Sequence, residues 1–347
     1  MKTFLRILLL IPLLFIGCSK EKDNNSQHTV DIHKPMSWGQ KQDIYVFADD
    51  NVWKYAEHYI RNTLERFQFT TENETYFTVK RTPMDKMEQF YKFNNLLFLA
   101  DLSSDAPVAK FVKQIMGAQV EQEIAANSVG VYPQNNVWAR DQFVLFLVAD
   151  NERDLLNLNI DMSNKTFELF KNILYDRIKM QVYKSPTYSS ATFDNFSWNL
   201  ELPKSYAVYK QDAANHFISF LARLRNKPDR YISVYSEKME SNEVDEDWLK
   251  KIRAELAWKY YDEDEFFDKD ISFERYELNG FKGWELSGRW QNKKYAVGGA
   301  FRSFAFWDEA GKTAYLIDNS IYFPEGYKLD GLIEMEVISR TFSVKQL

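Results

Sequence analysis

One cysteine, Cys18, stands among 347 residues. A disulfide within the chain is excluded, as is any cysteine-rich zinc site, so stability must come from burial. Histidine is nearly as scarce: His28, His33, His58 and His216 include no pair four residues apart, so the helical zinc motif is absent. The 12 glycines form neither a P-loop nor G-x-G-x-x-G, and no serine lies in a G-x-S-x-G elbow; no cofactor is expected. Positive charge is in deficit too. A formal net charge of −6 lacks the basic footprint that nucleic acid requires, or that a polybasic membrane patch would show. After the first residues, no stretch approaches the ~20 apolar residues of a membrane-spanning helix.

What is present begins with a targeting segment. Lys2 and Arg6 precede "ILLLIPLLFI" (7–16), which is too short for a confident span and ends in "FIGC". That ending resembles a bacterial lipobox, with Gly17 ahead of a Cys18 that is lipidated and becomes the mature N-terminus. Residues 1–17 are then a lipoprotein signal peptide, and the expected location is the cell envelope, anchored by lipid at the outer membrane, in the periplasmic or the surface-facing leaflet. Residues 18–42 are polar and aperiodic at first and read as a flexible tether. Their "SKEKD" is similar to the charged signals that send some Bacteroidetes lipoproteins to the cell surface; a solvated spacer accounts for it equally well.

About 330 residues remain, enough for two domains. Hydrophobic content of 45% with 27 Phe, 20 Tyr and 9 Trp supplies ample core. Over 43–185, strands alternate with amphipathic helices, as where "IYVFAD" leads into Val52, Trp53, Ala56, Tyr59, Ile60, Leu64 and Phe67 at helical spacing. "YKSPTYSSATFD" (183–194) is rich in turn formers and marks the boundary. From 193 to 347 the texture becomes long strands, "GWELSGRW", "KYAVGGAFRSFAFWD" and "KTAYLIDNSIYFP", with a helix through Trp248, Ile252, Leu256 and Tyr260 and another near 326–341. The expected class is α+β: an N-terminal α/β-type sheet-and-helix domain, then an antiparallel sheet with helices against one face.

The lipobox, the strand "IYVFADDNVW", "KRTPM", "NNLLFLADL", and the distal "GWELSGRW…GGAFRSF" and "NSIYFPEGYK…ISRTF" together resemble a family of Bacteroidetes lipoproteins catalogued as domain of unknown function 4837. The resemblance would cover nearly all of the mature chain, and it implies an envelope lipoprotein with no assigned activity or site residues. The distal half also looks loosely like the PsbP/Mog1 type of α+β domain, which carries no chemistry with it.

Three apolar runs end in Ala-Asp, which places Asp49 and Asp50, Asp101, and Asp150 at strand ends. In a parallel sheet such ends share an edge, where clustered carboxylates suit a divalent cation. The competing role is helix capping by Asp49 or Asp50, Asp105, and Asp150 or Asn151, favoured because each lies just ahead of a helical period. The acidic run "DEDEFFDKD" (262–270) reads as a solvated connector. Gly298 and Gly299 lie mid-strand, where close backbone approach is expected rather than phosphate binding. In "GWELSGRW", Trp284, Leu286 and Trp290 share one strand face and Glu285, Ser287 and Arg289 the other, while Tyr231 and Tyr235 share a face of their strand. Trp284, Trp290, Arg289 and Glu285 are ligand-contact candidates for a sugar or peptide, against core packing as the default. The expected role is a noncatalytic binding or assembly module that meets an envelope protein, glycan or peptide. Its rival is a metal-dependent hydrolase or phosphotransfer-like protein using the acidic strand ends.

Overall fold

The computed structural model describes residues 33–345; the signal segment, Cys18 and most of the tether lie outside the described residues. The chain divides into two compact units, one made of residues up to Arg66 with Thr75–Leu174, the other of Phe67–Glu74 with Tyr175 onward.

Along the chain run β1 (Asp43–Ala48), α1 (Asp50–Leu64), the short β2 (Phe67–Phe69) and β3 (Asn73–Thr75), β4 (Thr78–Arg81), α2 (Met87–Phe90), β5 (Asn95–Asp101), α3 (Pro107–Asn127), β6 (Val129–Asn135), β7 (Phe143–Ala149), α4 (Glu152–Asp161) and α5 (Ser163–Val182). The first unit's sheet has the order β4-β1-β5-β7-β6. All pairs are parallel except β6 with β7. Every residue of β1, β5 and β7 is buried, as continuous apolar runs covered on both faces require. Phe47, Phe98 and Phe146 stack across these three strands at 4.9 and 5.0 Å, against α3. Helix α3 is broken at Gly117, whose φ of 75° is costly for a residue with a Cβ.

The second unit continues with β8 (Trp198–Asn199), β9 (Ala207–Asp212), β10 (Phe217–Ala222), β11 (Asp229–Lys238), α6 (Glu246–Tyr260), β12 (Glu265–Leu278), β13 (Phe281–Asn292), β14 (Val297–Asp308), β15 (Thr313–Tyr322), α7 (Leu329–Ser339) and β16 (Ser343–Val344). Seven of its strands form an antiparallel sheet in the order β12-β13-β14-β15-β11-β10-β9. Alternation along β14 and β15 sorts side chains to two cores. Ala300, Phe304, Phe306, Tyr315 and Ile317 meet Leu332, Met335 and Ile338 of α7. Phe301, Ala305, Ala314 and Leu316 meet Leu249, Ile252 and Leu256 of α6.

Two expectations are corrected. Helices cover both faces of the distal sheet, not one, because its central strands are apolar on both sides. The run 262–270 is a connector only to Asp264; from Glu265 it is strand, and a register shift between Phe266 and Ile271 breaks the alternation that would have revealed it. The two compact units part within α5 between Leu174 and Tyr175, and the segment 67–74 belongs with the distal unit. There the Glu74 carboxylate accepts the backbone N–H groups of Lys328 and Leu329, both at 2.7 Å, and so caps α7.

Candidate functional site

The Ala-Asp junctions do lie along one edge, since β5 sits between β1 and β7 with Ala48 opposite Leu99 and Asp101 opposite Ala149. Their carboxylates nevertheless go to separate partners. Asp49 is buried, and its two oxygens accept the N–H groups of Val108 (3.0 Å) and Ala109 (3.2 Å). It occupies the N-cap position of α1 yet caps α3, because the neighbouring helix presents the donors. Asp50 pairs with Arg81 at the surface. One oxygen of Asp101 accepts from Ser103 N (2.9 Å) and Ser103 Oγ (2.7 Å), closing a local turn. Asp150 is exposed, and Asn151 caps α4 through Asp154 N at 3.0 Å. Asp105 caps nothing; Ala106 holds that place on α3. Asp49 and Asp50 border a broad, open hollow that neither Asp101 nor Asp150 lines. Among the described residues no group of three or more His, Cys, Asp or Glu is placed to hold a metal ion.

The four ligand-contact candidates also separate. Trp284 stacks on Phe273 at 4.5 Å with the Arg275 guanidinium 4.5 Å from its ring. Glu285 is buried, 3.5 Å from Arg302 Nε. Arg289 pairs with Asp270 at 2.6 Å and covers Phe69. Trp284 lines a hollow of about 400 Å³ with Arg275, Lys282 and Trp307, while Trp290 lines a smaller pocket walled mostly by aromatic rings.

That pocket, about 170 Å³, lies at one end of the distal sheet, beside the C-terminus of α6. Its walls are rings: Tyr209, Tyr231, Tyr261, Tyr295, Tyr322 and Trp290. Tyr261 is the C-cap residue of α6, so the helix end forms part of the wall. Trp290 is seated against Gly299, where a Cβ would lie 2.8 Å from the indole and 1.9 Å from Ile321 O. The close approach expected at this glycine is thus what lets a large ring lie flat on the sheet.

Polar groups line the same pocket. Asp229 pairs with Arg223 at 2.7 Å, and Asp262 lies 3.6 Å from Lys210 Nζ. Asp264 accepts Asn292 Nδ2 at 2.8 Å, and no described lysine or arginine lies within ion-pair distance of it. Burial pushes the Asp264 carboxyl up to about 6; Asn292 and Arg253 oppose the rise, and Asp262 and Asp318 add to it. Tyr231 is pushed up to about 12 by burial and the Asp229 charge. Tyr231, Trp290 and Asp264 lie in three separate stretches of the sequence, and nothing in their spacing announces that register brings them together.

Residues 185–341 match the family described as domain of unknown function (DUF4837), and residues 37–183 match another, domain of unknown function (DUF8532). No curated protein matches the chain. Among solved structures, a protein from Bacteroides thetaiotaomicron is 10% identical over 43% of this chain and 46% of its own, with a TM-score of 0.25. The chain thus spans about half the length of that protein. LpqN of Mycobacterium tuberculosis, described as involved in cell envelope biogenesis, is 9% identical over 43% of this chain and 83% of its own, with a TM-score of 0.28. The Saccharomyces cerevisiae Ran-binding protein Mog1p is 10% identical over 43% of this chain and 90% of its own, also with a TM-score of 0.28. Similarity this slight says nothing of shared chemistry. The family resemblance read from sequence therefore holds over the distal half, while its expected reach over nearly all of the mature chain is corrected, because the proximal half matches a different family. The chain is thus similar to two domains of unknown function in succession, DUF8532 over residues 37–183 and DUF4837 over residues 185–341.

Proposed function

We propose that this is a lipid-anchored cell-envelope protein whose distal unit binds a small ligand group, without catalysis, in the pocket at the end of α6. The observation that carries this reading is the pocket itself: six aromatic rings, with a few convergent polar groups, enclosing a small space at the end of a rigid sheet. Its lining includes acids, phenols, one serine and one arginine but no histidine, cysteine or lysine, so Ser320 has no imidazole or amine in the lining to act as its base. At about 170 Å³ it falls below the ~300–1,000 Å³ of ordinary small-molecule sites, which suits a single head group on a longer partner.

Val297 is half-buried on the pocket wall, and Val297→Trp should fill the space. Saturation-transfer NMR with alkylamines, alcohols, amides and simple sugars should detect contact with at least one class on the unsubstituted chain and none on the variant. If every class behaves alike on both proteins, the pocket is not a binding site.

The anchor rests on "FIGC" alone and has its own test. Cys18→Ser should abolish palmitate labelling and leave an unprocessed or soluble form. Undiminished labelling of that variant would remove Cys18 as the lipidated residue.

A further inference from the structure

We propose that the pocket at the end of α6 takes a primary ammonium group on an aliphatic arm, held between the aromatic rings and the Asp264 carboxylate. The inference rests on the reading of this pocket as a ligand site and adds the ligand's chemical class.

Charge around the pocket is incomplete in one place. Asp229 pairs with Arg223 and Asp262 lies near Lys210, whereas Asp264 has an amide donor and, among the described residues, feels the Arg253 charge only from beyond ion-pair distance. A bound cation would complete the set; a bound anion would meet an excess of carboxylate.

Ring faces favour the same guest. Their π clouds attract a cation most strongly where water is excluded, and six rings border this space. The helix end adds to this, because the last carbonyls of a helix carry partial negative charge. The molecule already places an ammonium there. Lys210 donates to the Tyr260 carbonyl at 2.5 Å, and its Nζ lies 5.2 Å from the centre of the Tyr209 ring. The pocket beside it presents the same kinds of group, a carboxylate, tyrosine rings and the helix terminus, without a resident amine.

The raised Asp264 carboxyl supports this reading, since a half-buried carboxylate with no ion pair of its own gains from receiving one. The groups that bear on it are Arg253 of α6, Asn292 of β13, Asp262 of the turn and Asp318 of β15.

Calorimetry on the full chain in neutral detergent tests the proposal with n-butylammonium, Nα-acetyl-lysine methylamide, n-butanol and methyl glucoside. At about pH 7.5 both amines should bind at least about tenfold more tightly than butanol. Their affinity should fall about tenfold by about pH 5, as Asp264 takes up its proton. Asp264→Asn should erase both the preference and the pH dependence with the melting temperature kept or raised, because it removes a charge that burial resists. Tighter binding of the lysine derivative identifies a peptide side chain as the guest; tighter binding of butylammonium identifies a free amine. Butanol or glucoside binding as tightly as the amines would overturn the ammonium assignment and leave the pocket a ligand site. Amine binding that survives both Asp264→Asn and Val297→Trp would overturn it as well. If no probe binds the unsubstituted chain, the pocket reading itself falls.

Discussion

Glu336→Ala is expected to lower the unfolding free energy by about 3–5 kcal/mol, read as a shift in urea midpoint at unchanged slope. Glu336 is 1% exposed on α7. One oxygen accepts from Arg302 and, at 2.8 Å, from the Tyr175 hydroxyl; the other accepts from Arg340 at 2.7 Å and from the Tyr276 hydroxyl. Arg302 is itself 3% exposed, so truncating Glu336 removes the nearest carboxylate of a buried guanidinium that still meets Glu285 at 3.5 Å and Gln68 at 2.6 Å, and leaves two phenols without their acceptor. A loss below about 1 kcal/mol would mean that the network relaxes or is hydrated, contrary to the enclosure described.

The same group sets the acid limb of the stability curve. Burial raises the Glu336 carboxyl, but Arg302, Arg340, Tyr276 and Tyr175 outweigh it and hold it at about 2, below its ordinary 4.5. A folded-state pKa below the unfolded one gives stability that is complete above about 4.5 and lost as pH falls toward 2. Asp264 has the opposite sign. Raised to about 6 from 3.8, it weakens the fold at neutral pH and ceases to do so as it protonates on the way down to about 4. Stability should therefore rise slightly from pH 7 toward 5 and then fall. Asp264→Asn should flatten the first limb and Glu336→Gln the second.

Arg253→Met is the second large effect, also about 3–5 kcal/mol. Arg253 and Asp318 are both 1% exposed and meet at 3.2 Å, with the guanidinium 3.4 Å from the centre of the Phe301 ring. Without Arg253, Asp318 loses its ion-pair partner and keeps the Ser303 hydroxyl, at 2.5 Å, while 1% exposed. Replacing both as Arg253→Met with Asp318→Leu should recover most of the loss, because the pair's mutual attraction does little more than offset its desolvation. If the double variant is no more stable than Arg253→Met, the cost lies in lost packing over Phe301 rather than in a stranded charge. Arg253 also lowers the Asp264 carboxyl, so the single variant should raise that group further and weaken amine binding near neutral pH.

The elements legible in the sequence are those whose burial follows one period. Helix α1 shows its spacing at Val52, Trp53, Ala56 and Ile60, all buried, and β1, β5 and β7 read as uniform apolar runs. The order of the distal meander was equally readable. What escaped was information held in pairing. Trp290 and Trp284 share a strand face, but register places one against Gly299 at the pocket and the other against Phe273 and Arg275. The acidic strand ends drew attention because they recur; their hydrogen bonds show recurrence to be local backbone chemistry, with Asp49 capping a helix far along the chain. Asp264 was hidden among six acids, distinguished from its neighbours only by the burial and cations that the fold distributes.

The most direct measurement is a titration of n-butylammonium into isotope-labelled protein, following the indole N–H resonances of the tryptophans, with that of Trp290 assigned through Trp290→Phe. The Trp290 signal should move saturably near pH 7.5 and stay still in Asp264→Asn. A Trp290 signal that stays still while backbone signals around Asp49 and Asp101 move would contradict the account and return the functional site to the edge of the parallel sheet.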